Sequence, residues 1–166
     1  MVKWRYNIEF PPQKIEKKEF PFGEKGVIVC PVCQSVYYKK SWHHNKNLKL
    51  KTKNLKPRLC PACQMIKNKE FEGQLVISNF PPNTKTDLIR LIKNFSQRAF
   101  ERDPMDRVIN IKTEPGDLLV TTTENQLAVK LAKKIKEVFN KYKVQVKISY
   151  SPEPSDVVYI KINFAE

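Results

Sequence analysis

The chain has 166 residues, a net charge of +14 and 40% hydrophobic residues, enough for one ordinary domain with a small accessory module. Met1 to Tyr6 hold no apolar core of signal-peptide length, and no run approaches the roughly 18–20 apolar residues of a membrane span. These features speak against an exported or membrane-spanning chain, so the expectation is a soluble, cytoplasmic protein.

The excess of positive charge is uneven. Residues 1–73 carry 16 Lys/Arg against 6 Asp/Glu, whereas residues 74–166 carry 15 against 11. A basic balance concentrated in one part of the chain points to a polyanion partner, most simply nucleic acid. Solubility charge spread over a surface would not gather in one short arm.

Taken in order, residues 1–26 are rich in Pro and Lys, from Phe10-Pro11-Pro12 through Lys14–Lys18 to Phe20-Pro21-Phe22-Gly23. Proline removes backbone donors and resists both helix and ladder. An extended tail is expected, with Phe10, Phe20 and Phe22 available to pin it to the folded part; plain disorder is the alternative for residues 1–12. Val27-Ile28-Val29 is a short β-branched run leading into Cys30-Pro31-Val32-Cys33, and Val36-Tyr37-Tyr38 continues beyond it. Leu48 to Lys53 alternates with period 2, which predicts a strand with lysines on one face. Leu59 leads into a second knuckle, Cys60-Pro61-Ala62-Cys63, and Met65 to Glu72 reads as a short helix or connector ended by Gly73.

The composition changes after Gly73. Gln74 to Asn79 reads as a strand, and Phe80 to Asn83 as a loop. Thr84 is a candidate N-cap, with Asp87 three residues on. Leu88, Leu91, Ile92, Phe95 and Ala99 follow helical spacing to about Arg102, where Asp103-Pro104 stops the helix. Val108 to Lys112 and Leu118 to Thr122 form a hairpin around a turn at Glu114 to Asp117. Leu127, Ala128, Leu131, Ala132, Ile135, Val138 and Phe139 mark a second amphipathic helix. Val144 to Tyr150 alternates as a strand, Ser151 to Asp156 turns, and Val157 to Phe164 alternates again. The first six of these elements match the ferredoxin-like split βαβ order, with one extra strand pairing as a hairpin. The predicted class is therefore α+β. A tail (1–26) precedes a zinc ribbon with a basic hairpin (27–73), and a ferredoxin-like two-layer sandwich domain (74–166, βαββαβ plus one strand) follows.

All four cysteines fall into the two knuckles. Four thiolates at about 2.3 Å from one ion suit a closed, tetrahedral, structural Zn²⁺, so Cys30, Cys33, Cys60 and Cys63 are the expected ligands of one zinc. The spacer over 34–59 has 26 residues, which is tolerable because closure entropy grows only logarithmically. Redox dithiols or an iron–sulfur cluster are the alternatives, but a thioredoxin-like motif would need a βαβ context that is missing here. His43 and His44 are not needed as ligands, since four cysteines already close the site; a solvent-facing or backbone-paired role is expected for them.

From Lys39 to Arg58 there are eight cations and no acid: Lys39, Lys40, Lys46, Lys49, Lys51, Lys53, Lys56 and Arg58. Tyr37, Tyr38 and Trp42 are interleaved with them. Cations neutralise phosphates and release counterions, and aromatic faces stack on bases. The predominance of lysine favours tracking of phosphates over bidentate base readout. Contact of His43 and His44 with a base or ribose is the functional reading of that pair. Thr121 to Gln126 lies between a strand and a helix; Thr123 is expected to cap the helix with Gln126 at the third position, a phosphate or ribose contact being the alternative. No paired carboxylates, Ser/His/Asp set or Gly-rich loop stands out, and the chain has only 4 glycines. The expectation is a non-enzyme with no evident small-molecule substrate.

Three strings carry a resemblance: Cys30-Pro-Val-Cys-Gln-Ser-Val-Tyr-Tyr-Lys-Lys-Ser-Trp42, Leu59-Cys-Pro-Ala-Cys-Gln-Met-Ile66 and Thr121-Thr-Thr-Glu-Asn-Gln-Leu-Ala128. From about residue 25 onward the chain resembles a poorly characterised prokaryotic family in which a zinc ribbon precedes an α+β domain with a Thr-Thr-x-x-x-Leu-Ala helix start. That family is distantly similar, over the ribbon, to the N-terminal zinc region of the large-ribosomal-subunit export adaptor, nonsense-mediated decay protein three, which carries more Cys pairs. The resemblance implies zinc, the domain order and ribosome binding, and it supplies no catalytic residue. The expected function is zinc-dependent binding of RNA or the ribosome; a zinc-ribbon protein–protein adaptor is the alternative.

Overall fold

A computed structural model describes residues 28–38, 40–47 and 56–165. The expected tail (1–26), Lys39 and the alternating Leu48 to Lys53 segment, with Lys49, Lys51 and Lys53, lie outside the described residues. The described chain is α+β, with two sheets and three α-helices. Among the described residues no helix is long and apolar enough to cross a membrane.

The first sheet is small. Strands β1 (Ile28–Val29), β2 (Ser35–Tyr38), β3 (Ser41–His44) and β4 (Lys56–Pro57) lie in the order β3-β2-β1-β4. Strands β1 and β2 flank the first knuckle as an antiparallel pair, Val29 opposite Val36. Strand β4 returns parallel to β1, and Arg58 N–H donates to Val29 C=O at 2.9 Å. That return brings the second knuckle beside the first.

The expected connector over Met65 to Glu72 begins earlier than its apolar pattern suggests. Helix α1 (Pro61–Asn68) starts inside the second knuckle, with Cys60 as its N-cap and Pro61 in its first turn, where a missing N–H costs nothing. Lys69 ends it in the left-handed region, φ 58°. Gly73 ends no helix; it opens the next strand, β5 (Gly73–Ser78).

Beyond α1 the elements follow the predicted order: β5, α2 (Lys85–Arg102), β6 (Val108–Glu114), β7 (Asp117–Thr122), α3 (Asn125–Val138), β8 (Gln145–Tyr150) and β9 (Val158–Asn163). In α2 the buried residues Leu88, Ile92 and Ala99 lie on one stripe. In α3 the corresponding set is Leu127, Ala128, Leu131, Ala132 and Ile135. Val138, expected on that face, is exposed at the end of the helix. Leu88 and Ile92 of α2 and Ala128, Leu131, Ala132 and Ile135 of α3 join Leu75, Ile77, Leu118, Val120, Val158, Ile160 and Ile162 of the sheet in one core. The β6–β7 turn is a two-residue loop, since Glu114 pairs with Asp117. Gly116 takes φ +81° there, a conformation that side chains resist.

The strand order is β6-β7-β5-β9-β8. Strand β7 lies between β5 and β6, as the split βαβ pattern requires, and β8 and β9 form the expected hairpin. A ferredoxin-like sheet would, however, set β8 beside β5. Here β9 takes that place and runs parallel to β5. The burial pattern gives the reason: β9 places Val158, Tyr159, Ile160 and Ile162 in the interior, whereas β8 is half-buried at best. A near-continuous apolar strand belongs at the centre of a sheet and a polar alternating one at its edge.

Two capping expectations are corrected. Thr84 holds the N-cap position of α2 as expected, but its side chain makes no cap bond; its hydroxyl donates to Pro81 C=O at 2.7 Å. Thr123 does not cap α3, whose N-cap is Glu124. Its buried hydroxyl instead accepts from Arg107 N–H at 2.9 Å and donates to Met105 C=O at 2.6 Å. A buried hydroxyl within reach of two backbone groups of the 105–107 loop serves that loop rather than the helix end. Thr123→Val, which removes both bonds while keeping the shape, is expected to cost about 2 kcal/mol, measured by denaturant unfolding.

Candidate metal centre

The sulfurs of Cys30, Cys33, Cys60 and Cys63 all lie within 4.8 Å of one another. Residues 30 apart in sequence are thus brought to one point by the parallel β1–β4 return. Cys33 and Cys60 Sγ are 3.6 Å apart. That is far beyond a disulfide bond and close to the edge of about 3.8 Å that a tetrahedron with 2.3 Å metal–sulfur bonds requires. The donor set and its spacing therefore fit a metal ion held by four thiolates.

Each knuckle shapes its own sulfurs. In the first, Cys30 N–H donates to Ser35 C=O at 2.8 Å and Gln34 N–H to Cys30 C=O at 2.9 Å. Gln34 closes the turn with φ 62°. In the second, the same Cys-Pro-x-Cys-Gln string runs straight into α1, and Cys63 N–H donates to Cys60 Sγ at 3.4 Å. Ser35 Oγ lies 3.0 Å from Cys33 Sγ. Such donors orient thiolates and offset their charge.

The thiols differ in their electrostatics. The hydrogen bond with Cys60 holds the Cys33 thiol far below the ordinary range, at about 3; burial opposes this, and Ser35 and Arg107 support it. The same bond, followed by burial, pushes Cys60 up. Burial pushes Cys63 up, against the nearby Arg107.

Around the sulfurs lies a small core. Ile28, Trp42 and Ala62 are buried with the cysteines, and Tyr37, Leu59 and Met105 pack against them. Among its lysines Trp42 reads as a base-stacking residue. It is only 7% exposed and packs against its cross-strand partner Tyr37, with ring centroids 5.6 Å apart. Its place is as a wall of the metal knot, because the alternation of β3 turns it inward. Tyr37 and Tyr38 are half-buried on β2. Lys40, Lys46 and Lys56 are exposed around this sheet, and Arg58 is half-buried.

Both histidines are backbone-paired. His43 Nε2 lies 2.7 Å from Ser41 Oγ and 3.2 Å from Tyr38 C=O. His44 reaches across to α2: its Nε2 donates to Phe100 C=O at 2.5 Å, and its ring meets the Phe100 ring edge-on at 4.8 Å.

Sequence reasoning missed Arg107. Its Nη1 donates to Cys63 Sγ at 3.3 Å, and its Nη2 lies 3.9 Å from Cys60 Sγ. Nε donates to Pro104 C=O at 2.8 Å, and the guanidinium lies 5.0 Å over the Phe100 ring. Burial works against its charge, but the neighbouring thiols raise its pKa. No spacing ties Arg107 to the knuckles, so no sequence signal marked it.

Comparison with protein-family models, with curated proteins and with solved structures finds no significant match to this chain.

Proposed function

We propose that this chain is a non-enzymatic, zinc-dependent RNA- or ribosome-binding protein. The observation that carries the reading is the acid-free run of eight cations from Lys39 to Arg58, strung between two knuckles whose thiols converge on one point. Zinc is the ion that the four-cysteine set suits best. It clamps both ends of the arm, and the lysines track phosphates. In the second unit, helix α3 adds exposed Lys130, Lys133 and Lys136 as a second basic face. The resemblance to the ribbon of the ribosomal export adaptor supports the ribosome as the source of that RNA.

The test is charge reversal. Lys49, Lys51 and Lys53 changed together to Glu are expected to weaken RNA binding at least 100-fold. The slope of log affinity against log salt should fall by about 2, the share of three contacts to a single strand. Filter binding or fluorescence anisotropy over a salt series measures both. Binding that survives the triple change with an unaltered slope would count against the reading.

One feature favours the alternative of a protein–protein adaptor. Strand β8 is an edge of the larger sheet, and it shows Ile148 at 38% and Tyr150 at 68% exposure. Apolar side chains on an open edge suit strand addition by a partner. Affinity capture before and after nuclease treatment separates the two readings, because a protein partner survives and an RNA bridge does not.

A further inference from the structure

We infer that Arg107 is a positioning residue for the metal centre and couples metal loading to docking of the ribbon on the α+β unit. The inference rests on the metal part of the reading above and is independent of RNA. Four thiolates around a divalent ion leave a net charge of about −2 in a small apolar pocket. A buried charge of that kind needs a compensating partner. Within hydrogen-bonding reach of two of the sulfurs stands one guanidinium, and it comes from the other unit of the chain.

Its surroundings fix its position. Pro104 C=O takes Nε, the Phe100 ring lies under the guanidinium plane, and the Arg107 backbone is held from both sides. Thr123 Oγ1 accepts from Arg107 N–H, and Thr123 N–H donates to Arg107 C=O at 3.0 Å. Asp103 Oδ1 accepts from Met105 N–H at 2.8 Å, and Met105 packs into the knot. The loop at 103–107 therefore runs from the end of α2 into β6, with the Arg107 backbone tied to Thr123 and its side chain against the thiols. Phe100 is shared: it supports Arg107 and also receives His44 from β3. Thiolate charge, guanidinium, aromatic ring and histidine form one continuous contact between the units. Whatever fixes the thiolates also fixes the docking, and by linkage the docking tightens the hold on the metal.

The experiment uses the full-length, zinc-loaded chain. Zinc transfer to a chromophoric chelator is timed for wild type, Arg107→Gln and Arg107→Lys. Arg107→Gln is expected to release zinc about tenfold faster, the usual scale for a lost partner of a ligand. Arg107→Lys, which keeps the charge and loses the fork, should fall between. Hydrogen exchange of the wild-type chain with and without zinc supplies a readout that needs no variant. Removal of the metal should expose the amides of Met105, Arg107 and Thr123 while those of β5 and β9 stay protected. Wild-type release from Arg107→Gln, or loop protection indifferent to the metal, overturns the inference. Zinc content tells the two readings apart: one zinc per wild-type chain with unchanged release sinks only the role of Arg107, whereas a wild-type chain that takes no zinc sinks the metal reading and this inference together.

Discussion

Cys60→Ser is expected to strip the chain of its metal and unfold the first sheet while the five-stranded sheet stays folded. Cys60 is fully buried, serves as one of four sulfurs, and is also the N-cap whose sulfur accepts the Cys63 N–H. A serine hydroxyl is a poor zinc ligand, and its shorter bond pulls the fourth donor out of the tetrahedron. The rest of the knot offers little to replace the metal, since among the described residues its apolar cluster is small: Ile28, Trp42 and Ala62 are buried with the cysteines, and Tyr37, Leu59 and Met105 pack against them. Structural zinc in small modules of this kind contributes about 10–16 kcal/mol of apparent binding free energy, and the folding of such modules depends on it. The larger unit has its own core, from Leu75 to Ile162, and does not draw on the knot. Mass spectrometry under native conditions should show one zinc in wild type and none in Cys60→Ser. The same sample should lose exchange protection over β1 to β3 and α1 and keep it over β5, β7 and β9. A variant that retains zinc, or one whose large sheet melts together with the ribbon, would contradict this division of the stability.

How far the residues announced this arrangement depends on the range of the interactions involved. The cysteine spacing was readable because metal ligation restricts residue type and local turn together, and Cys-Pro-x-Cys leaves few other uses. The α2 stripe of Leu88, Ile92 and Ala99 and the α3 stripe from Leu127 to Ile135 were readable because helical burial repeats within the segment itself. What was hidden depends on which partner a segment meets. The central position of β9 follows from a comparison of two strands, β9 more apolar than β8, and adjacency in sequence does not disclose it. Trp42 sits among lysines and reads as an exposed platform, yet the register of β2 with β3 turns it into the knot. Thr123 stands where a cap would, and its hydroxyl is claimed by a loop 16 to 18 residues earlier in the chain. Arg107 is the extreme case, since its sulfur partners lie 44 and 47 residues away.

Gly73→Ala is expected to cost about 2–3 kcal/mol although it adds only one methyl group. A Cβ at this position would stand 2.3 Å from Thr122 Oγ1 and 2.4 Å from Ala128 Cβ. Neither neighbour can easily yield. The Thr122 hydroxyl is fully buried and donates to Glu124 C=O at 2.8 Å, just where α3 begins. Ala128 is fully buried on the face that α3 lays across the sheet. Gly73 also pairs with Thr122 on one side and with Val158 on the other. Just before it, Glu72 N–H donates to Thr122 C=O at 3.0 Å and Glu72 C=O accepts from Val158 N–H at 2.8 Å. The added methyl therefore pushes α3 away at the point where the chain passes from the knot into the sheet. For a domain of this size the loss corresponds to a fall in Tm of about 8–15 °C, read by calorimetry on the zinc-loaded chain. Close contact of this kind is tested by a double-mutant cycle. In an Ala128→Gly background, which removes one of the two colliding atoms at a helix cost of about 1 kcal/mol, the penalty of Gly73→Ala should shrink by at least about 1 kcal/mol. An undiminished penalty in that background, or a Gly73→Ala chain as stable as wild type, would mean that β5 and α3 do not approach as closely as their packing requires.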